Sequence, residues 1–352
     1  MGRCTVSRSV GRIALLACVS GIAGAQRGSV PQNASLKRVE RRVVAERVRA
    51  DGAVSLRSAQ GERIGTWQLT AEDARLRLAG QPEIVAPPLQ MWVGSPDGRT
   101  LAGAGDPRAP EHPFELTVVV LRDGLRVAEL AEKLGPESEL TVAADGHVAV
   151  AGHPAGQRGQ PFALVLRPDG QVLFRHALPE GTLARDPVLF GERLYVRVHG
   201  LQDAGVSGDV VRVDEHGVHV VLAGEGVLAL VGFPEAERAL ALTRTGLVCL
   251  DALDGRVLWR SAERLRPANP HAWTLWRFQD GERIAVVTAS VQRADASASA
   301  PQLVLLDAAD GAELGTIELD AACPLSEVDV TGRAARVVVD WNGTEEVFTW
   351  QR

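Results

Sequence analysis

Tight-turn signals recur along most of the chain and constrain its fold more than any other feature. An Asp-Gly pair repeatedly closes short runs that are rich in Val, Leu and Ala. Gly accepts the positive φ that tight hairpin turns need, and Asp hydrogen-bonds the nearby backbone. After residue 50 no helical pattern lasts longer than two turns, so the chain is predicted to be all-β. The pairs include Asp97-Gly98, Asp123-Gly124, Asp145-Gly146, Asp169-Gly170, Asp254-Gly255, Asp280-Gly281 and Asp310-Gly311.

The hairpins come in pairs that repeat at roughly 40 to 50 residues, the spacing of four-stranded propeller blades. We name the four strands of each unit a to d in chain order. One unit is predicted to hold Gln90–Gly94, Thr100–Ala104, Leu116–Leu121 and Leu125–Leu130. Units are predicted to begin near Gln90, Leu140, Pro187, Gly226, Thr274 and Ser326.

Both ends of the repeat region look incomplete. The last unit offers the strands Glu327–Val330, Arg336–Trp341 and Glu346–Trp350, and the first residues offer a hairpin, Val54–Ser58 with Ile64–Leu69. Joining the two would close a ring and remove exposed sheet edges. We therefore expect one β-propeller over residues 51–352, closed by pairing of N- and C-terminal strands. Six blades are expected, or seven if Val43–Arg49 begins another.

The N-terminus has the pattern of an export signal. A leader with three arginines precedes the uncharged stretch Ile13–Gly24, and Ala23-Gly24-Ala25 supplies the small residues that a signal peptidase needs. Residues 1–25 are thus predicted to be a signal peptide, and residues 26–50 a tether whose Leu36–Arg49 part fits a helix or a strand. No segment approaches the ~20 apolar residues of a membrane-spanning helix. The Arg-rich, Lys-poor composition is typical of a bacterial protein, so we expect a periplasmic or extracellular location.

The cysteines leave two questions open. Leu15-Leu16-Ala17-Cys18 is similar to a lipobox, so an alternative is lipidation of Cys18 after cleavage. The mature domain then keeps Cys249 and Cys323, which an oxidising compartment would allow to pair. Because they belong to different units, two separate thiols are the simpler expectation.

The clearest repeat, Leu250-Asp251-Ala252-Leu253-Asp254-Gly255-Arg256-Val257-Leu258-Trp259, resembles the pyrroloquinoline-quinone-type propeller repeat. Ser95-Pro96-Asp97-Gly98 is similar to the hairpin of WD40-like exported propellers. The resemblance implies that Trp259 packs between neighbouring blades. The quinone dehydrogenases of that superfamily have more blades, adjacent cysteines over the cofactor and acidic calcium ligands. This chain has no Cys-Cys pair and is short for their blade number, so no quinone cofactor is expected.

Long connections are concentrated on one side of the predicted ring. They lie between strands b and c, as in Gly152–Phe162 and Gly200–Gly208, and between d and a, as in Ser261–Trp273. In a propeller these two kinds of connection emerge together, and we call that side the loop face. Propellers usually bind partners there. The predicted binding residues are His112, His153, Arg158, Arg185, Asp186, Arg266 and His271.

The sequence favours a non-enzymatic, monomeric, exported propeller whose loop face binds a protein or envelope component. A net charge of −6 with both signs interspersed argues against a nucleic-acid partner. One alternative is a metal-dependent hydrolase or lactonase-like enzyme, in which Glu139, Asp186 and Glu327 would hold calcium at the channel mouth. Another is a lipid-anchored envelope assembly factor, which depends on Cys18.

Overall fold

The computed structural model describes fifteen segments of the chain. Its described residues form strands, turns and isolated bridges, with no helix among them. This confirms the all-β prediction. The described segments are 35–43, 54–58, 63–70, 72–106, 115–130, 133–155, 160–200, 208–233, 237–261, 274–277, 283–288, 302–318, 329–333, 336–341 and 344–351.

The strands are numbered in chain order. The first half of the chain contributes β1 Ser35–Val43, β2 Val54–Ser58, β3 Arg63–Leu69, β4 Ala74–Leu78, β5 Ile84–Ala86, β6 Met91–Gly94, β7 Thr100–Gly105, β8 Thr117–Arg122, β9 Leu125–Glu129, β10 Glu139–Val142, β11 Val148–Gly152, β12 Phe162–Leu166 and β13 Val172–Ala177. The second half contributes β14 Thr182–Phe190, β15 Arg193–Gly200, β16 Gly208–Asp214, β17 Gly217–Phe233, β18 Arg238–Thr243, β19 Gly246–Asp251, β20 Val257–Arg260, β21 Thr274–Arg277, β22 Arg283–Thr288, β23 Gln302–Asp307, β24 Glu313–Glu318, β25 Asp329–Arg333, β26 Arg336–Trp341 and β27 Thr344–Gln351.

Within the described residues these strands fall into seven antiparallel groups of four, which we call units. Three four-stranded sheets are one unit each, and the eight-stranded sheet is two units joined by a short parallel pairing of β2 with β6. The seven-stranded sheet is two units that share β17. Unit 1 is β2–β5, unit 2 β6–β9, unit 3 β10–β13, unit 4 β14–β16 with the start of β17, unit 5 the end of β17 with β18–β20, unit 6 β21–β24, and unit 7 β25–β27 with β1.

Strand β17 serves two units because two glycines bend it. Its first residues pair with β16 and its last with β18. Between these halves Gly224 and Gly226 have φ of 70° and 64°, a left-handed conformation that costs Gly little. The strand therefore leaves unit 4 as strand d and enters unit 5 as strand a.

The hydrophobic core lies between neighbouring units. Each buried cluster joins residues of two consecutive units, from the pair 1 and 2 through to the pair 5 and 6. The middle strands β7, β11 and β12 are buried at every position, which explains their uninterrupted apolar sequences, since both faces of the sheet are covered. The outer strands β9 and β13 are mostly exposed or half-buried, and Phe174 is the one buried residue of the two.

The turn chemistry follows the sequence prediction. In the hairpins at Asp97, Asp145, Asp169 and Asp310 the carboxylate accepts a hydrogen bond from the backbone N–H two residues later, at 2.9–3.1 Å. The following Gly has a positive φ, for example 69° at Gly98. Asp and Gly therefore act together to fix each turn.

Trp259 lies between two units, as its repeat motif implied. It is buried in a cluster with Leu240 of unit 5 and Leu306 of unit 6. The indole Nε1–H donates to the Ala308 carbonyl oxygen at 3.1 Å. Gly311 packs so closely on the ring that a Cβ there would lie 2.4 Å from Trp259 Cε3. The tryptophan thus ties unit 5 to a turn of unit 6.

The predicted closure used the wrong N-terminal segment. The hairpin at 54–69 does not pair with the last unit, because β4 and β5 follow it and complete unit 1. Strand β1 instead pairs antiparallel with β27, from Ser35 opposite Gln351 to Val43 opposite Thr344. The segment 36–49, for which helix and strand were both open, is thus strand over its described part. Units 2, 3, 5 and 6 begin close to their predicted positions, whereas unit 4 begins at Thr182 and not near Pro187, and unit 7 at Asp329 and not near Ser326.

Candidate functional site

Charged side chains of units 3 and 4 meet at the loop-face ends of their strands. Arg185 of β14 donates from Nη2 to Glu137 Oε2 at 2.7 Å and from Nη1 to Glu139 Oε1 at 2.9 Å. The backbone N–H of Asp186 donates to Glu139 Oε2 at 2.6 Å. Strand a of unit 4 is therefore bonded to the start of strand a of unit 3 through two carboxylates.

Asp186 extends this connection to unit 5. Its backbone is left-handed, with φ of 52°, at a register shift between Arg185 and Val188 in the pairing of β14 with β15. The irregularity leaves the Asp186 carboxylate able to accept from Arg197 Nε at 2.6 Å and from the Leu230 N–H at 3.3 Å. A strained Asp thus bridges three strands of two units.

Two histidines border these groups. His153 Nε2 accepts a hydrogen bond from the Ala184 N–H at 3.2 Å, so this nitrogen is unprotonated and the ring is neutral. Burial lowers the pKa of His153, and the Arg185 guanidinium lowers it further. Burial and then Arg197 likewise lower the pKa of His199, which is only 4% exposed. Both rings are therefore uncharged at neutral pH.

Glu139 is the acidic residue with the most perturbed surroundings in this group. Burial raises its pKa, and the neighbouring Asp186 carboxylate raises it further. The hydrogen bonds from the Asp186 N–H and from Arg185 act in the opposite direction. The result is a carboxylate whose charge depends on its donors, as is common at functional positions.

The structure brings together four of the residues predicted from sequence: Glu139, His153, Arg185 and Asp186. It adds Glu137, Arg197 and His199, which the sequence analysis missed; we call these seven residues the polar network. The alternation of polar Arg197 and His199 with Val196 and Val198 in β15 was the available signal. Four predicted binding residues and one predicted metal ligand lie outside the described residues: His112, Arg158, Arg266, His271 and Glu327.

The two predicted cation ligands that the structure describes have protein donors as partners. Glu139 accepts from Arg185 and from a backbone N–H, and Asp186 accepts from Arg197 and Leu230. A calcium ion would have to displace these donors. In the described part of the chain no three His, Cys, Asp or Glu residues are grouped as a metal site would require.

A cleft of about 470 Å³ opens on the loop face between units 4 and 5. It lies beside the polar network, which it meets at His199. We call it the unit 4–5 cleft. Its lining residues are Val198, His199, Gly200, Gly208, Asp209, Gly224, Glu225, Gly226, Arg244 and Thr245.

Cys249 lies in β19, away from the loop face. It is fully buried in the cluster that contains Trp259, and burial raises the pKa of its thiol to about 12. Such a thiol is a small apolar core residue and not a nucleophile. Cys323 and Cys18 lie outside the described residues.

Comparisons with known proteins give no family for this chain. No protein-family model matches it, and no curated protein matches it either. Among the described residues no helix has the length and apolarity needed to cross a membrane.

Proposed function

We propose that the chain is a closed β-propeller whose seven units are its blades. Two observations support this. The a strands of units 1 and 2 run parallel side by side, with Arg57 opposite Val93, as inner strands around a channel would. Strand β1 supplies the fourth strand of the last unit from the other end of the sequence, an arrangement that holds a ring shut.

For function, we propose a non-enzymatic, exported, monomeric module whose loop face binds a protein or envelope partner in the periplasm or outside the cell. The polar network carries this proposal. Its carboxylates belong to units 3 and 4 and are held by arginines and backbone N–H groups of units 4 and 5, so the network joins three consecutive units. Such a network fixes the positions of the loops around it, which favours recognition over chemistry that needs a free acid or base.

A metal-dependent enzyme remains the second candidate, favoured by one observation. Glu139 and Asp186 are close enough for the charge of one to raise the pKa of the other, and such carboxylate pairs can bind calcium. Metal analysis of the purified protein, before and after dialysis against chelator, separates the candidates. A stoichiometric cation would favour the enzyme and make Glu139, Asp186 and Glu327 the first residues to substitute.

Partner capture tests the leading proposal. The protein is immobilised and exposed to the envelope fraction of the cells that produce it. Charge reversal of two exposed loop-face residues, Glu115→Lys with Glu180→Lys, is expected to abolish capture of the partner. The matched control reverses two exposed residues at the opposite ends of the strands, Glu192→Lys with Glu215→Lys, and should retain it. Equal capture by both variants would exclude the loop face as the binding surface.

The lipid-anchored alternative concerns attachment and needs its own test. If Cys18 is lipidated, the protein should sediment with membranes, and the Cys18→Ser variant should not. Soluble behaviour of both forms would support the exported, unanchored protein that we propose.

A further inference from the structure

We propose that the unit 4–5 cleft binds a terminal carboxylate group. This inference deepens the proposed function, because the cleft opens on the loop face, and it names the chemistry that this part of the face recognises. It is supported by His199, a buried side chain in the cleft wall with an unused ring nitrogen, and by the buried arginine that lies two residues before it in the same strand.

His199 forms part of the cleft wall and is 4% exposed. Its Nδ1 lies 3.5 Å from the Gly200 carbonyl oxygen, and within the described part of the chain its Nε2 has no hydrogen-bond partner. Arg197 precedes it by two residues in β15, so both side chains project from the same face of the sheet. Arg197 is 7% exposed, and its Nη1 has no hydrogen-bond partner among the residues that the structure describes.

Buried donors without partners are rare, since each loses its hydration and gains nothing in return. Arg197 donates from Nε to Asp186, and its positive charge is close enough to act on His199. A carboxylate in the cleft can accept from the imidazolium N–H of His199, and the nearby charge of Arg197 favours an anion there. The carboxylate would also favour protonated His199, with Nδ1 facing Gly200 and Nε2 facing the ligand.

The rim of the cleft does not oppose a single negative charge. Asp209 accepts a hydrogen bond from the Gly224 N–H at 2.8 Å. Glu225 forms a two-bond ion pair with Arg260 at 2.8 and 2.9 Å, and the cationic Arg244 stands beside it. The acids of the rim are thus already bonded. A volume of about 470 Å³ is within the range of small-molecule sites and suits a small acid or the end of a peptide.

Two matched pairs of probes test the proposal. N-acetylglycine and its amide differ only in the terminal charge, and N-acetylated tetra-alanine is used likewise as free acid and as amide. Binding is followed by titration calorimetry and by the NMR signals of the His199 ring. Both acids, or the peptide acid alone, are expected to bind and shift these signals, and the amides to do neither.

Three variants locate the site. His199→Gln should weaken binding of the acid about tenfold or more, as expected for loss of a hydrogen bond to a charged group. Thr245→Trp fills the cleft from an exposed turn without altering a buried side chain and should also abolish binding. His216→Gln changes a histidine that is 77% exposed in another turn and should change nothing.

The outcomes separate the possible ligands. Binding of the peptide acid alone indicates a protein C-terminus, whereas equal binding of N-acetylglycine indicates a small carboxylic acid. Equal binding of acids and amides, absence of binding by folded wild-type protein, or unaltered binding by Thr245→Trp would overturn the inference. If the acids fail to bind while partner capture still depends on the loop face, this inference alone fails. If the acids bind while partner capture is unchanged by the loop-face substitutions, the proposed function alone fails.

Discussion

Asp186 and Asp123 have the same backbone conformation, but Asp186 belongs to a largely buried ion pair and Asp123 to an exposed one. Their φ values are 52° and 50°, and each accepts a hydrogen bond from an arginine Nε, at 2.6 Å from Arg197 and 2.8 Å from Arg99. The Arg197 side chain is 9% exposed, and that of Arg99 is 54% exposed. Asn tolerates the left-handed conformation, so Asp→Asn at either position mainly removes one negative charge.

Asp186→Asn is expected to lower the free energy of unfolding by about 2 kcal/mol. Removing one partner of a fully buried pair costs about 3–5 kcal/mol, because the other charge stays buried and unpaired. The Asp186 side chain is 27% exposed, so solvent reduces that cost. Asp123→Asn should have little measurable effect, since both partners are exposed. Urea unfolding followed by circular dichroism measures both variants at neutral pH.

A second readout of the same variant reports on Glu139. Burial and then the Asp186 charge raise the pKa of Glu139. Asp186→Asn keeps the backbone N–H that donates to Glu139 and removes the charge, so this pKa should fall. NMR titration of the labelled side chain measures it. Equal destabilisation by the two Asn variants, or an unchanged Glu139 pKa, would refute the role assigned to Asp186.

Three further predictions follow from the same contacts. Trp259→Ala should lower the free energy of unfolding by about 3–5 kcal/mol. Gly311→Ala should destabilise the protein less in that variant than in wild type, because the new Cβ no longer clashes with the indole. A double-mutant cycle by urea unfolding measures this difference. Folding lowers the pKa values of His153 and His199, so the unfolded chain takes up protons first as pH falls below about 6.5. The free energy of unfolding should therefore decrease below that pH, and it should decrease less in a variant with Gln at both positions. Urea unfolding at pH 7 and at pH 5.5 measures the difference. The Cys249 thiol should resist a thiol reagent in the native state and react in denaturant, and fast native labelling would contradict its burial.

The local parts of the fold could be predicted from sequence. Turn residues act within four or five positions, so the hairpin at Ser95–Gly98 and the strands on either side of it were placed almost to the residue. The starts of units 2, 3, 5 and 6 followed from the same signals. The packing of Trp259 between two units was implied by the resemblance of its repeat, and the large apolar area that the ring buries there explains it.

Pairing between distant strands could not be predicted in this way. Ser35–Val43 carries a helix-like stripe, and its strand conformation depends on β27 at the other end of the chain. Nothing local to either segment specifies that contact. By contrast, Ala74–Leu78 alternates apolar and charged residues and is buried on one face, a strand signal that the sequence analysis overlooked.

The candidate site was predicted in part for a similar reason. The long connections placed His153, Arg185 and Asp186 on the loop face, and the metal alternative placed Glu139 at the start of a strand a; the structure brings these four residues together. The register shift at Asp186 was not visible in the sequence, and it is what turns that carboxylate towards Arg197. The sequence therefore did not show that Arg197 and His199 of β15 belong to the site, because their place in it depends on contacts between distant strands.

The proposed loop face requires the seven units to close into a ring, because closure gathers the loops around one channel. Spin labels at positions 54 and 329, the first residues of the a strands of units 1 and 7, allow an electron-resonance distance measurement in a cysteine-free background. Labels at 274 and 329 give the reference, since strands β21 and β25 are in contact. A closed ring predicts a similar short distance for both pairs, with sheets packed about 10 Å apart. A much longer or broadly distributed distance for 54 and 329 alone would contradict it.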